Sequence, residues 1–244
     1  MTREMVSKPM KTPTDPQIAV LISAQAEWDC VCAYYRSPKT EIHPLGQTFQ
    51  RELANRNVVF FHGGWGKVSA AASTQFIIDK WQPELIINIG TCGGLNGKVA
   101  VGDVILANET LIYDIYERMT NPAAALAHYA TEIELGFLCE PFPQKVHKTR
   151  LLSADQDIDP DLVFKLADDF HAIAADWESG AIAWVAARNR THCLILRAVS
   201  DLVDAAGGEL YNQGSFVEKT SEVLLPILRS LPNWIRCSVW TNLK

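Results

Sequence analysis

Short apolar runs alternate with helical segments along most of this sequence, and that order restricts the fold more than any other feature. The runs cover residues 18–22, 58–61, 85–89 and 193–199. Each is short and almost entirely apolar, as expected of a strand buried on both faces of a sheet. The helical segments cover residues 68–80, 178–190 and 218–230, and weaker strand candidates cover residues 104–107 and 151–152. Strands that alternate with helices predict an α/β fold, with a largely parallel sheet between two layers of helices.

The chain has 244 residues, which is long for one domain and short for two. Hydrophobic residues make up 48% of it and charged residues 20%, as is typical of a packed globular protein with a sizeable core. Pro9, Pro13 and Pro16 disfavour a helix near the start. We therefore predict a flexible leader over residues 1–17 and a single domain over residues 18–244.

Composition and charge exclude several classes of partner. A net charge of -6 and a pI near 5.5 supply no basic surface for nucleic acid or for an anionic membrane. No apolar stretch resembles a signal peptide or is long enough to span a bilayer, which predicts a cytoplasmic protein. The cysteines and histidines show no metal-ligand spacing, so we expect reduced thiols and no bound metal.

Polar and glycine-rich residues follow the predicted strands, at the edge where ligands collect in sheets of this kind. These segments are residues 63–66, 91–94, 153–155, 176–178 and 200–201. Glycine turns let backbone N–H groups approach a ligand closely, although each turn alone also fits ordinary strand-to-helix turning. Neither turn matches the dinucleotide or triphosphate-binding fingerprint, so we expect no cofactor.

Two carboxylates at these strand ends suit opposite chemical tasks. Glu178 begins a predicted helix, where unpaired N–H groups favour an ionised carboxylate that can accept hydrogen bonds from two adjacent sugar hydroxyls. Asp201 follows a buried strand, where partial removal from water favours a raised pKa and a role as proton donor. Helix capping is the alternative role for both residues and for Asp176.

Six segments of the sequence occur in one order and at one spacing. They are residues 18–27, Gly63-Gly-Trp-Gly-Lys67, Asn88-Ile-Gly-Thr-Cys-Gly-Gly-Leu95, Val101-Gly-Asp-Val104, Asp176-Trp-Glu178 and Arg197-Ala-Val-Ser-Asp201. Over residues 18–231 this series resembles the purine nucleoside phosphorylase and methylthioadenosine/S-adenosylhomocysteine nucleosidase superfamily, and most closely its nucleosidase branch. The resemblance implies a three-layer α/β/α sandwich with a central mixed, largely parallel sheet, a small-molecule purine nucleoside as ligand, and a homodimer.

The resemblance also implies roles for individual residues. Glu178 would bind the ribose hydroxyls, Asp201 would protonate the departing purine at N7, and Arg197 would lie near the nucleophilic water. Ser200 would support Asp201. The remaining substrate-binding positions are Gly66, Thr91, Cys92, Gly93, Asp157, Ile158 and Trp177. This division of labour suits the reaction, because breaking the N-glycosidic bond builds positive charge on the sugar and negative charge on the base.

The sequence departs from the nucleosidase pattern at positions that affect the site. The branch begins with Ala-Met-Glu-x-Glu, whose last Glu positions the water, but an ungapped match puts Trp28 at that place. Glu27 would take the role after a one-residue shift, and Asp29 is a poorer candidate. The alternatives are that Glu27 is a surface charge on a helix and that the water is positioned differently in this chain. Trp177 replaces a Met of the ribose pocket, and residues 153–158 lack the Phe that stacks on the base. The identity of the substrate is therefore less well predicted than the bond that is cleaved.

Three functions remain open from the sequence. Phosphorylases of the bacterial branch carry an Arg before the second glycine turn, where this chain has Asn88-Ile-Gly-Thr. Because phosphate needs cationic contacts that water does not, this favours hydrolysis of an adenine-type nucleoside such as methylthioadenosine or S-adenosylhomocysteine. The alternatives are a phosphate-dependent phosphorylase and a catalytically silent nucleoside-binding or storage protein of the same fold.

Overall fold

The structure is a computed structural model that describes residues 15–208 and 216–238. Its strands are β1 (Ile18–Ile22), β2 (Glu41–His43), β3 (Gly46–Leu53), β4 (Arg56–His62), β5 (Leu85–Leu95), β6 (Val104–Ile112), β7 (Ala130–Glu132), β8 (His147–Ser153), β9 (Ala174–Asp176), β10 (His192–Asp204) and β11 (Gly207–Gly208). Its α-helices are α1 (Gln25–Tyr34), α2 (Lys67–Trp81), α3 (Pro122–His128), α4 (Val163–Asp168), α5 (Ser179–Arg188) and α6 (Phe216–Cys237). A 3₁₀ turn, Pro160–Leu162, precedes α4.

The apolar runs form the strands that the sequence predicts. The four runs lie within β1, β4, β5 and β10, and the three predicted helices correspond to α2, α5 and α6. The sequence analysis missed α1 and the β2–β3 hairpin. The hairpin is mostly exposed, so it has no apolar run to reveal it. The buried side of α1 includes a carboxylate, Glu27, which interrupts the apolar pattern of the helix.

The described strands form one mixed sheet in the order β11-β10-β6-β8-β9-β5-β1-β4-β3-β2, with β7 beside β6. Its centre is parallel, because β4, β1, β5 and β10 run in the same direction. Antiparallel pairs flank this centre, including β3–β4 and β6–β10. β5 also pairs with β9, so β5, β10, β6, β8 and β9 close into a ring. The predicted fold class is confirmed.

Four of the described helices pack in two pairs. α1 packs against α6, and α2 packs against α5. Val223, Leu224, Ile227 and Leu228 of α6 are fully or almost fully buried, as their helical spacing predicts. β1 is buried along its whole length, because it lies at the parallel centre beneath both helical layers.

The glycine-rich segment that follows residue 89 is a strand and not the predicted turn. β5 continues to Leu95 and pairs with β10 over this segment, with a bulge in β10 between Val199 and Asp201. Glycine is needed at Gly94, because a Cβ there would lie 2.6 Å from Val99 and 2.8 Å from Val199. Asp201 likewise lies inside β10 and does not follow it. The site is therefore built along paired strands at a bulge, a feature that re-aims side chains.

β1 begins at Ile18, as predicted, and the preceding Gln17 donates its backbone N–H to the Asn57 carbonyl at 2.9 Å. The first fourteen residues of the predicted leader lie outside the described part of the chain. Across the described ranges, no helix is long and apolar enough to cross a membrane. The same residues contain no group of His, Cys, Asp and Glu side chains arranged to hold a metal ion.

Candidate active site

A cavity of about 570 Å³ opens at the edge of the sheet where β5, β9 and β10 approach α1. Every predicted site residue except Gly66 lines it. These lining residues are Glu27, Thr91, Cys92, Gly93, Asp157, Ile158, Trp177, Glu178, Arg197, Ser200 and Asp201. Gly66 lies beside the cavity, and its backbone N–H donates to Glu178 Oε1 at 3.0 Å. The fold thus brings residues from distant parts of the sequence to one place.

Arg197 is the buried cation at the centre of the site. Its side chain is 1% exposed, and Nε lies 2.9 Å from Asp176 Oδ2. Nη2 donates to Asn88 Oδ1 at 2.8 Å and to Glu178 Oε2 at 3.3 Å, while Nη1 donates to the Thr91 carbonyl at 3.2 Å. Burial opposes the positive charge, but the surrounding carboxylates outweigh it and raise the pKa of Arg197, so the guanidinium stays charged.

Asp176 both caps α5 and holds Arg197. Its Oδ1 accepts hydrogen bonds from the backbone N–H groups of Glu178 at 3.2 Å and Ser179 at 3.1 Å. The Ser153 hydroxyl donates to the same oxygen at 2.6 Å. Glu178 is the N-cap residue of α5, yet its side chain makes no capping bond. Because Asp176 takes that task, the Glu178 carboxylate is left to face the cavity.

Glu178 is only 5% exposed, and its surroundings shift its ionisation. Burial raises the pKa of Glu178 to about 7, the positive charge of Arg197 opposes this, and the negative charges of Asp176 and Glu27 add to it. The carboxyl group therefore changes its charge near neutral pH. Above that pH it is an ionised acceptor at the wall of the cavity, which suits vicinal hydroxyl groups.

Glu27 carries its carboxylate to the same side of the site. Glu27 Oε1 accepts from the Thr91 backbone N–H at 2.6 Å and from the Thr91 hydroxyl at 3.0 Å. The same oxygen lies 3.7 Å from Arg197 Nη1. Glu27 Oε2 accepts from the Ala24 N–H at 3.1 Å, which anchors the first turn of α1. Gly90 allows Glu27 and Arg197 to approach each other, because a Cβ at this position would lie 2.6 Å from Glu27 Oε1 and would collide with the Arg197 guanidinium.

Trp28 does not line the cavity, although the ungapped match puts it at the water-positioning place. Its side chain is 2% exposed, and its ring stacks on His62 with a centroid separation of 5.4 Å. Asp29 does line the cavity but is exposed, and it accepts a hydrogen bond from Gln25 at 2.7 Å. Of the three neighbouring positions, Glu27 alone combines burial with contact to Arg197.

Asp201 lines the same cavity, lies next to the bulge in β10 and is 9% exposed. The Ser200 hydroxyl is 2.7 Å from Asp201 Oδ1 and 3.2 Å from the Cys92 carbonyl. Burial raises the pKa of the Cys92 thiol well above its usual value, so Cys92 is a neutral part of the wall. The Asp201 carboxyl group is thus held against the Ser200 hydroxyl at the wall of the cavity.

Two tryptophans form the outer wall. Trp65 is 66% exposed, and its ring centroid lies 5.1 Å from that of the half-buried Trp177. Both rings line the cavity, and both also line a shallower recess of about 250 Å³ on its outer side. Lys67 and Asp155 line that recess as well.

The sequence analysis did not identify Trp65 as a site residue and gave Asp176 only a capping role. A signal for Trp65 existed, since a large aromatic residue stood inside a glycine turn beside a predicted site residue. No comparable signal existed for Asp176. Its contact with Arg197 joins β9 to β10, which are separated by a helix along the chain.

Comparison with known proteins adds independent information. The profile of one protein family, described as the phosphorylase superfamily, matches residues 17–230. The 5'-methylthioadenosine/S-adenosylhomocysteine nucleosidase of Glaesserella parasuis is 26% identical over 229 residues, which cover 88% of this chain and 99% of that protein. The corresponding nucleosidase of Actinobacillus succinogenes is 28% identical over 207 residues, or 79% of this chain and 89% of that protein.

Solved structures show the same fold. The Neisseria meningitidis 5'-methylthioadenosine/S-adenosylhomocysteine nucleosidase in complex with methylthio-immucillin-A superposes with a TM-score of 0.70 at 22% identity, covering 90% of this chain and 98% of that chain. The futalosine hydrolase of Helicobacter pylori superposes with a TM-score of 0.75 at 17% identity, covering 91% and 99%. At these identities the similarity shows a shared architecture.

Proposed function

We propose that this chain, which belongs to the phosphorylase superfamily, hydrolyses the N-glycosidic bond of a purine nucleoside. The proposal depends on one observation. Glu178, Asp201 and the ion pair Glu27–Arg197 all line the same cavity. Cleavage of this bond needs an acceptor at the sugar, a proton donor at the base and a group that orients the nucleophile. The cavity offers a residue for each of these tasks.

In the proposed reaction, the ionised Glu178 accepts hydrogen bonds from the ribose hydroxyls and stabilises the positive charge that develops on the sugar. Asp201 donates a proton to the departing purine, with Ser200 as its support. Glu27 and Arg197 orient the attacking water. Its oxygen bonds to the sugar carbon as the bond from that carbon to the base breaks, and its proton passes to the Glu27 carboxylate. Thr91, Cys92, Gly93, Asp157, Ile158 and Trp177 form the walls around the substrate, and Gly66 anchors Glu178.

The charges around the cavity favour water over phosphate as the nucleophile. Arg197 is the one cation among the described residues that line it, and most of its N–H donors are occupied by Asp176, Asn88 and neighbouring groups. The lining carries six acidic side chains. They are Glu27, Asp29, Asp157, Asp176, Glu178 and Asp201. A phosphate dianion would have to enter this negative field without a free cationic partner, whereas water would not.

The names of the relatives support the choice of substrate. Two nucleosidases of methylthioadenosine and S-adenosylhomocysteine match most of this chain, so an adenine-type nucleoside with a substituent at the 5′ carbon is the proposed class. The base would not be stacked as in that branch, because Asp157 is exposed at the place of the stacking Phe.

Base release from a panel of nucleosides tests the function. Adenosine, inosine, methylthioadenosine and S-adenosylhomocysteine are each incubated with the protein, with and without inorganic phosphate, and the products are separated by chromatography. We expect free base and free sugar without phosphate. A sugar phosphate as product would identify a phosphorylase. Binding without release would identify a silent member of the fold, and Asp201→Asn serves as the control that should bind without turnover.

The proposal includes a homodimer in the cytoplasm. Tyr116 and Met119, in the segment that follows β6, are 77% and 94% exposed. Large apolar side chains that are exposed in one chain become buried when they form a subunit interface. Light scattering of the purified chain measures its mass directly, and a monomer at all concentrations would contradict this part.

A further inference from the structure

We infer that the rim of the cavity selects nucleosides by charge, and that it favours a 5′ substituent ending in an ammonium group over a neutral or anionic one. This inference rests on the proposed function and concerns the substrate class of the same site. It depends on Trp65 and Trp177, on Asp155 and on the ion pairs of the nearby Lys67.

The tryptophan pair lies where the sugar end of a nucleoside would leave the cavity. The backbone N–H of Gly66 donates to Glu178, the proposed sugar acceptor, so Trp65 is one residue from that contact. Trp177 directly precedes Glu178. A substituent on the 5′ carbon would therefore pass these two rings, which line both the cavity and the recess.

The carboxylate beside the tryptophans is Asp155. Its Oδ1 accepts from the Lys67 backbone N–H at 2.7 Å and would lie 3.3 Å from a Cβ at Gly66. The Asp155 side chain is 41% exposed, and its Oδ2 is 3.7 Å from Lys67 Nζ. The Lys67 ammonium group is held more closely by both oxygens of Asp114. Asp155 is thus the more available charge in the recess.

The surrounding field has the same sign. Lys67, Asp114 and Asp155 together carry a net charge of one negative unit. Asp29 and Asp157 are exposed carboxylates on the wall of the adjoining cavity. Tryptophan faces attract cations, and exposed cation–aromatic contacts contribute about 0.5–1 kcal/mol. Rings and carboxylates therefore act together on a cation and oppose an anion.

Three adenosine analogues of nearly equal length separate charge from size. They carry 5′-aminopropylthio, 5′-butylthio or 5′-carboxyethylthio groups. Calorimetric binding to the Asp201→Asn variant, which should not turn them over, is measured at neutral pH. We expect the amine to bind about five-fold more tightly than the butyl analogue and the carboxylate to bind more weakly than both. Added salt should reduce the differences, because exposed charges are screened.

Variants test the residues that produce the preference. In Trp65→Leu and in Asp155→Asn, each combined with Asp201→Asn, the advantage of the amine should fall to less than about two-fold. Asn can still accept the Lys67 N–H, so the start of α2 should be preserved. Glu52→Gln, which removes an exposed carboxylate from β3 outside the cavity lining, is the matched control and should leave the advantage unchanged.

The outcomes are distinguishable. Equal binding of the amine and the butyl analogue, or tighter binding of the carboxylate, would overturn the charge preference while leaving hydrolysis intact. Loss of the preference in Glu52→Gln as well would mean that total charge and not the rim produces it. If no analogue binds and the unmodified protein releases no adenine from any of them, the proposed function itself fails.

Discussion

The interior of the site and its rim are built on different principles. Arg197 is 1% exposed and has polar contacts to several neighbours, while Trp65 is 66% exposed and packs against the ring of Trp177. In the interior, each charged group is held by others, so a change to one leaves its partners buried and unpaired. At the rim, a side chain can change without such a penalty. We therefore expect interior changes to affect the reaction and rim changes to affect the choice of substrate.

The largest effect is expected where the interior loses its cation. Arg197→Met would leave the carboxylates of Asp176, Glu178 and Glu27 buried without a positive partner, which typically costs about 3–5 kcal/mol. Activity should fall at least about 100-fold. Urea denaturation and initial rates measure both losses. Arg188→Met removes an exposed arginine that lies over Trp184 and should cost less than about 1 kcal/mol. Equal losses of stability and activity in Arg197→Met and Arg188→Met would refute the special role of the buried interior.

Next in size is the change at the proposed water-positioning residue. Glu27→Gln keeps an oxygen that can accept from Thr91 but removes the negative charge beside Arg197. We expect kcat to fall about 100-fold or more, because proton transfer and orientation of the nucleophile are lost together. Asp29→Asn, on the exposed side of the same helix, should stay within about two-fold of the unmodified protein. If Asp29→Asn lost activity instead, the one-residue shift would be the wrong alignment.

A smaller change in the interior should appear as a shift of the pH profile. Glu178 must be ionised to accept from sugar hydroxyls, so activity should fall as pH drops through its pKa of about 7. Asp176→Asn removes a negative charge that raises this pKa, so the acid limb should move to lower pH. Rates from acidic to neutral pH measure the shift. If activity falls but the acid limb of the pH profile stays at the same pH, Asp176 only supports the fold.

Glu178 should also make the free energy of unfolding depend on pH. Its pKa in the folded chain is about 7, above the ordinary value of 4.5, so the folded state holds the proton more tightly than the unfolded state. The stabilisation from that proton is present in full below pH 4.5 and is lost as pH rises to about 7. Glu178→Gln should remove this part of the pH dependence of unfolding.

The smallest effect is expected at the rim. Trp177→Met shortens one wall of the cavity but leaves the charged network in place. We expect KM to rise several-fold and kcat to stay within about two-fold, because the ring contributes binding area and not chemistry. Steady-state kinetics with one substrate measure both KM and kcat. A fall in kcat as large as that of Glu27→Gln would show that the rim also positions the reacting groups.

Much of the site was predictable from the sequence because chemically distinct residues stand at strand ends. The apolar runs gave four central strands, and Glu178, Arg197 and Asp201 stood close to them in a recognisable order. The predicted glycine turn after residue 89 was wrong, because hydrogen bonding to β10 extends the strand through glycines that local rules assign to a turn. Local pattern cannot report pairing with a strand a hundred residues away.

By itself, the sequence determined the α/β class, the four central strands and the set of residues with suitable chemistry, because these follow from apolar periodicity and from side-chain type. Only the tertiary structure decided that Glu27 and not Trp28 faces the cavity, since the choice depends on how α1 lies against β5. It also decided that Asp176 takes the capping bonds and so leaves Glu178 to the cavity. Both decisions depend on contacts between distant segments, and such contacts exist only once the chain is folded.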